Sequence, residues 1–268
     1  MISEINTPGL FDSKIENLCI KHRFITVIGS GGKTALIWRL AAGFKLTVDN
    51  GRETFISGAE NRKILVTPTT KMFVPQKKEK LYDRYCDGVP PCPIPGITLS
   101  GIFNKASGKL EALPEGCLEE IIPSYDLVLM EGDGSRGLPL KAWTADEPVV
   151  PPFTNLTIGV LPLWPLGEPV SEKIIHRLPL FLALSGAAEG EALTMEHFRK
   201  LITGSAAGSM AGLFAKARGE KILFFNQIED DSAMEQAREL AESLAPEFRK
   251  GLCGIYAGSV RENRFTEL

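Results

Sequence analysis

The sequence predicts an α/β fold, a mainly parallel sheet with helices on both faces. Three observations predict it. Short, continuous apolar runs alternate with helical stretches, as strands buried on both faces do. Residues 24–42 read as strand, glycine turn, helix. A further apolar run at 126–130 ends abruptly in carboxylates. Strands alternating with helices imply parallel pairing, because a parallel connection needs a crossover.

In chain order, residues 24–28 form a β-rich run followed by glycines. Residues 34–42 follow as a helix with Leu36, Ile37 and Leu40 on one side. Residues 63–66 are a second strand. Residues 82–114 are rich in Pro and Gly, and 98–103 with Lys109-Leu110 flank Ser107-Gly108, so this region reads as a β-hairpin excursion. Residues 126–130, 156–160 and 221–225 supply three more strands. Residues 171–218 are mostly helical, a helical insertion that forms a lid or subdomain, with His176 inside a short helix. Residues 232–244 are a helix capped by Ser232 with Glu235, striped by Ala233, Ala237, Leu240, Ala241 and Leu244, and stopped by Pro246. No repeat or long linker divides the chain, so residues 1–268 are expected to be one domain.

Composition excludes several classes. With 268 residues, 44% of them hydrophobic, the chain can bury a core without staples. Thirty basic and 33 acidic residues give a net charge of −3, with no block of either sign, so neither a nucleic-acid groove nor a polybasic membrane patch is expected. Residues 1–21 mix Glu4, Asp12, Lys14 and Glu16 with apolar residues, unlike a signal peptide. No apolar run reaches the roughly 18 residues of a membrane span. Five scattered cysteines fit a reducing, cytoplasmic setting. Cys86 and Cys92 share a Pro-rich loop able to take a soft metal, but no second pair lies nearby.

Chemistry is concentrated in the run Gly29-Ser30-Gly31-Gly32-Lys33-Thr34. Glycines let a backbone approach an anion closely, and successive N–H groups at a helix start bind phosphate. Lys33 can reach phosphate oxygens, and the Thr34 hydroxyl can ligate Mg²⁺. A full Walker A motif needs glycine at position 27, where this chain has Val27, so the loop has the shorter form also found in the Mur ligases. It predicts a P-loop NTPase-like site for ATP or GTP with Mg²⁺.

The run ending in Glu131-Gly132-Asp133 supplies the acidic half of such a site, with Glu131 and Asp133 as candidate metal ligands beside Thr34. Arg136 and Lys141 can neutralise phosphate or an anionic substrate. Thr69, Thr70 and Lys71, after the second strand, would face the same site. Asn226-Gln227-Ile228-Glu229-Asp230 resembles the N-K-x-D base-reading loop of GTPases, with Gln227 for Lys and Glu229 for Asp. Asn226 and Glu229 are therefore candidate nucleotide contacts.

These segments together resemble the YqeC-type accessory proteins of selenium-dependent molybdenum hydroxylases. The resemblance rests on the glycine loop, on Thr67-Pro68-Thr69-Thr70-Lys71-Met72-Phe73-Val74-Pro75, and on the twelve residues from Glu131 to Ala142. It continues through Glu147-Pro148-Val149-Val150-Pro151, the pair His176-Arg177 and Phe225-Asn226-Gln227. Residues 44–62 make a longer link than the family leads one to expect, and Glu131-Gly132-Asp133 stands where Glu-Ala-Asp is expected. The resemblance implies help in maturing the molybdenum cofactor or installing selenium, with a maturation protein or a molybdenum hydroxylase as partner.

The expected function is a slow, Mg²⁺-dependent nucleoside-triphosphatase in which Lys33, Asp133, Arg136 and His176 are the catalytic candidates. Two alternatives stay open: a kinase- or ligase-like enzyme activating a small acceptor, with its pocket near Arg136, Lys141 and His176, and a nucleotide sensor without turnover.

Overall fold

The computed structural model describes residues 21–46, 61–75, 79, 81–204 and 212–268. The N-terminal reading, Cys19, most of the long 44–62 link and residues 205–211 of the helical region lie outside them.

The strands in chain order are β1 (Phe24–Gly29), β2 (Lys63–Pro68), β3 (Lys71–Phe73), β4 (Arg84–Asp87), β5 (Gly96–Asn104), β6 (Lys109–Glu111), β7 (Leu127–Glu131), β8 (Leu140–Lys141), β9 (Leu156–Pro162), β10 (Ile175–His176), β11 (Glu220–Asn226), β12 (Gly254–Ser259) and β13 (Arg264–Glu267). The helices are α1 (Lys33–Leu46), α2 (Cys117–Ile121), α3 (Leu178–Ser185), α4 (Met195–Thr203), α5 (Asp231–Ser243) and α6 (Pro246–Lys250). Among the described residues no helix is long and apolar enough to cross a membrane.

Eleven strands form one sheet in the order β13-β12-β11-β9-β1-β7-β2-β5-β6-β3, with β4 against β5. Pairing is parallel from β12 to β5 and antiparallel where β13, β6 and β3 join the two ends. The protein is thus a mixed α/β structure built on a large, mostly parallel sheet. Strand β1 lies near its middle, between β7 and β9.

Alternate residues of one strand supply opposite faces, as a period of two requires. Leu223 and Phe225 join the core under α3, α4 and α5, while Ile222 and Phe224 join the core under α1. In β7, Leu127 and Leu129 likewise face α1, and Val128 and Met130 face a third cluster with Tyr125. Each such buried side chain contributes roughly 1.5–3 kcal/mol, which outweighs any local propensity. The stripe Leu36, Ile37 and Leu40 of α1 is fully or almost fully buried, as its spacing predicts.

Three expectations need correction, and two strands were not foreseen. Residues 96–104 are no excursion: Gly96 to Leu99 pair in parallel with β2 inside the main sheet, and only the far end turns back with β6. That partner lies some thirty residues upstream, which local Pro and Gly content cannot signal. His176 is not helical but pairs in β10 with Lys141 of β8. Pro179 is tolerated only in a helix's first turn, so α3 starts at Leu178. Strands β12 and β13 follow the last long helix, their apolar content diluted by Gly254 and Gly258. Finally, α5 is capped by Asp230, whose Oδ1 accepts from the Ala233 N–H at 2.8 Å. Ser232 sits exposed in the first turn.

Asp230→Ala should therefore cost about 1 kcal/mol, the usual loss of an N-cap. Ser232→Ala should change stability by less than about 0.5 kcal/mol. Urea denaturation of the two variants measures both; equal losses would restore Ser232 as the cap.

Candidate functional site

Three strand ends meet at the middle of the sheet. The registers place Glu131 beside Val27 of β1 and beside Pro68 of β2. The loops after β1, β2 and β7 therefore open onto one carboxyl edge, where ligands of open α/β sheets bind.

The glycine loop is wedged from several sides. Ser30 N–H donates to Val160 O of β9 at 2.9 Å. Gly31 and Gly32 have φ of +74° and +120°. A Cβ on Gly31 would lie 2.4 Å from Pro162, and one on Gly32 would lie 2.2 Å from the Asn226 amide. Positive φ and close approach both require glycine here. Asn226 closes the loop, its Nδ2 donating to Gly31 O at 2.7 Å while its Oδ1 accepts from Val260 N–H at 3.0 Å.

Glu131 and Asp133 have different surroundings. Glu131 lines a cleft of about 270 Å³ together with Gly31, Gly32, Lys33 and Thr34. Its Oε2 accepts from the Thr34 hydroxyl at 2.7 Å, and burial raises its pKa against the opposing pull of Lys33. Asp133 is completely buried. Its carboxylate accepts from Gly29 N–H at 3.1 Å and from Trp143 Nε1 at 2.7 Å. The ammonium groups of Lys141 and Lys33 lie 3.1 and 3.4 Å away. Between the two acids, a Cβ on Gly132 would come within 2.8 Å of Ile28 Cγ2, so the chain passes β1 closely. Lys33 Nζ also donates to Gly29 O at 2.7 Å.

The ion network runs on from Asp133. Lys141, itself fully buried, donates to Gly134 O and to Glu147 Oε2, each at 2.8 Å. Arg177 grips Glu147 with both terminal nitrogens, at 2.7 and 2.9 Å, the fork geometry that arginine alone provides. Burial pushes the Glu147 pKa up, but hydrogen bonds from Arg177 and Lys141 outweigh it and hold the carboxyl at about 2. Lys141, read from sequence as a phosphate contact, is instead enclosed by these two carboxylates.

The remaining candidates divide. Arg136 and Lys71 line the cleft. Lys71 is ion-paired with Glu111 at 2.8 Å. Thr69 ties two loops together, its hydroxyl donating to Val149 O and its N–H to Glu131 O. The hydroxyls of Ser30 and Thr70 are shut off from solvent without a partner. His176 is not among the cleft residues, and burial, then Arg177 and Arg136, lowers its pKa to about 4, so it is neutral at pH 7. Glu229 also lies away from the cleft, paired with Arg261 at 2.8 Å. Gln227 does line the cleft, at φ +64°. Among the described residues no cluster of three or more His, Cys, Asp or Glu has metal-binding geometry.

Sequence reasoning missed Trp143, Phe73, Lys109 and Trp164, and gave Glu147 and Arg177 no role. The signal for the last two was present: both fall in segments that carry the family resemblance.

Fold and site define an α/β protein with a glycine-loop cleft at the carboxyl edge of a mostly parallel sheet, walled by Lys33, Lys71, Lys109 and Arg136 against the carboxylate of Glu131. Residues 25–179 match the family described as "YqeC protein". The chain belongs to the YqeC family. It is 28% identical over 246 residues to "Uncharacterized protein YqeC" of Escherichia coli (strain K12), a likeness covering 89% of this chain and 88% of that one. No solved structure matches this chain.

The Glu147 carboxyl, held at about 2 against an ordinary 4.5, is only half-buried, and solvent screening reduces its worth to about 1–2 kcal/mol of stability. A lowered carboxylate pKa stabilises fully above pH 4.5, and that stability is lost as pH falls through 2. Glu147→Gln should thus cost about 1–2 kcal/mol at pH 7 and flatten the acid dependence between pH 4.5 and 2. Urea unfolding across that pH range measures it; a wild-type slope in the variant would show that Glu147 is not the group responsible.

Proposed function

We propose that the protein binds a nucleoside triphosphate with Mg²⁺ at this cleft and hydrolyses it slowly, in a P-loop-like manner, as an accessory factor. The observation that carries the reading is the Thr34 hydroxyl held 2.7 Å from the Glu131 carboxylate beside the glycine loop. Hydroxyl and carboxylate oxygens are the donors that suit Mg²⁺, and the raised Glu131 pKa marks a buried carboxylate in want of positive charge. The solvent-free, unpartnered Ser30 hydroxyl lies within the same loop.

In this reading Thr34 and Glu131 hold the metal, which supplies charge neutralisation for the phosphates when bound. Loop amides and Lys33 bind phosphate oxygens. Asp133 keeps the loop in shape by holding Gly29 N–H. His176 is neutral and away from the cleft, and among the described residues no other strong general base stands there, which supports a slow or partner-stimulated rate. Service to a selenium-dependent molybdenum hydroxylase is carried by the family resemblance alone. A cytoplasmic setting follows from the same resemblance and the scattered thiols.

A thermal-shift panel of ATP, GTP, CTP and their diphosphates, with and without Mg²⁺, tests the reading. Ligand at about 100 Kd should stabilise by roughly 2.7 kcal/mol. Lys33→Ala should weaken triphosphate binding roughly 10- to 150-fold, the worth of one charge-assisted hydrogen bond. Glu131→Gln should abolish Mg²⁺ dependence while the protein stays folded, whereas Asp133→Asn should chiefly lower the melting temperature. Wild-type Mg²⁺ dependence in Glu131→Gln would move the metal elsewhere.

Base discrimination should be weak. Asn226 serves the loop and Glu229 is engaged by Arg261, so few buried polar groups remain to reject a wrong base. GTP should be preferred over ATP tenfold or less, about 1.4 kcal/mol, as competition binding would show. A strong preference for either base would mean that another segment reads it.

A further inference from the structure

One wall of the cleft has chemistry that a triphosphate alone does not use. Phe73 of β3 is 55% exposed, the most exposed large hydrophobic side chain among the described residues. Its cross-strand partner is Lys109 of β6, whose ammonium lies 4.1 Å from the ring centroid. Both line the cleft with Arg136, and neither Lys109 nor Arg136 is ion-paired among the described residues. The wall therefore offers an aromatic surface and two unneutralised cations.

Its place in the sheet separates it from the opposite wall. β3 follows β2 directly, and β2 lies beside β7, so Phe73 and Lys109 stand on the Glu131 side of β1. The Lys109 charge is felt at Glu131. Trp164 and Gln227 follow β9 and β11, on the other side of β1. Thr34 and Glu131 would hold a metal, which would neutralise charge on the outer phosphates. The outer end of a bound triphosphate would then face the wall of Phe73 and Lys109, and its base would lie toward Trp164.

We propose that this wall is a second ligand subsite, built for a planar aromatic ring that carries a phosphate or carboxylate and lies beside the outer phosphates. The ring stacks on Phe73, and Lys109 with the forked Arg136 guanidinium takes the anion. The assignment of the two ends rests on the triphosphate reading above; the stacking surface and its cations do not.

Riboflavin 5′-phosphate serves as the probe, with riboflavin as the uncharged ring and inorganic phosphate as the ringless anion. Flavin fluorescence is titrated with and without a saturating non-hydrolysable ATP analogue and Mg²⁺, and phosphate is followed by calorimetry. Riboflavin 5′-phosphate should bind in the presence of the analogue, with riboflavin and phosphate each roughly tenfold weaker or more. Phe73→Ala should weaken the flavin phosphate roughly tenfold and Phe73→Trp should restore it, while the analogue binds both variants as it does wild type. Lys109→Met should reduce binding of the flavin phosphate far more than of riboflavin. Failure of the flavin phosphate to bind, indifference to Phe73→Ala, or full displacement by the analogue would overturn the subsite. If the analogue itself fails to bind while the Phe73-dependent flavin signal persists, the triphosphate reading falls and the stacking site stands.

Discussion

The carboxylate of Asp133 joins parts of the chain that are remote in sequence. It holds the backbone of Gly29, the indole of Trp143 and two ammonium groups while shut off from solvent. Taking an isolated carboxylate out of water costs several kcal/mol, so such a group persists only when its partners are all in place. Gly29 belongs to the loop, Trp143 to the segment after β8, and Lys141 to β8 itself. One side chain thereby fixes the start of the glycine loop relative to the network of Lys141, Glu147 and Arg177. Counted together with Lys33 and Glu131, that interior holds three basic and three acidic side chains, so its formal charges balance.

Backbone geometry makes two acids only two residues apart do different work. Glu131 ends β7 and remains on the cleft, opposed mainly by Lys33 and Thr34. Asp133 lies beyond the close passage at Gly132 and turns back toward β1. A strand's alternation would have put both on one face; the turn after the strand breaks the alternation. From sequence both carboxylates read as metal ligands, because spacing alone does not reveal where a strand ends and a loop begins.

What was legible in the sequence shares one property: it is local. The glycine loop, the apolar strands and the stripe of α1 are written in consecutive residues, and they sit where the pattern puts them. What was not legible depends on distant pairing. The β5 register with β2, the Asp133–Gly29 bond and the Arg177–Glu147 fork each join segments whose proximity no short window encodes. Thr69 shows the reverse case. Its hydroxyl suits a ligand, yet in the folded chain it secures the carbonyl of Val149. Local pattern identified the polar residue, and only the fold assigned its partner.

The amide of Asn226 has a consequence for how the chain is made. It closes the glycine loop from 195 residues downstream and is itself steadied by Val260. A nascent chain emerges from its N-terminus, so β1 and the loop are synthesised long before the strands that hold them in shape. Residues 25–179, the stretch that carries the family match, contain the loop, Glu131 and the whole ion network, but not this clasp. The cleft can reach its final form only after Asn226 and Val260 have been synthesised, and a chain stopped short of them would expose its glycine loop open on one side.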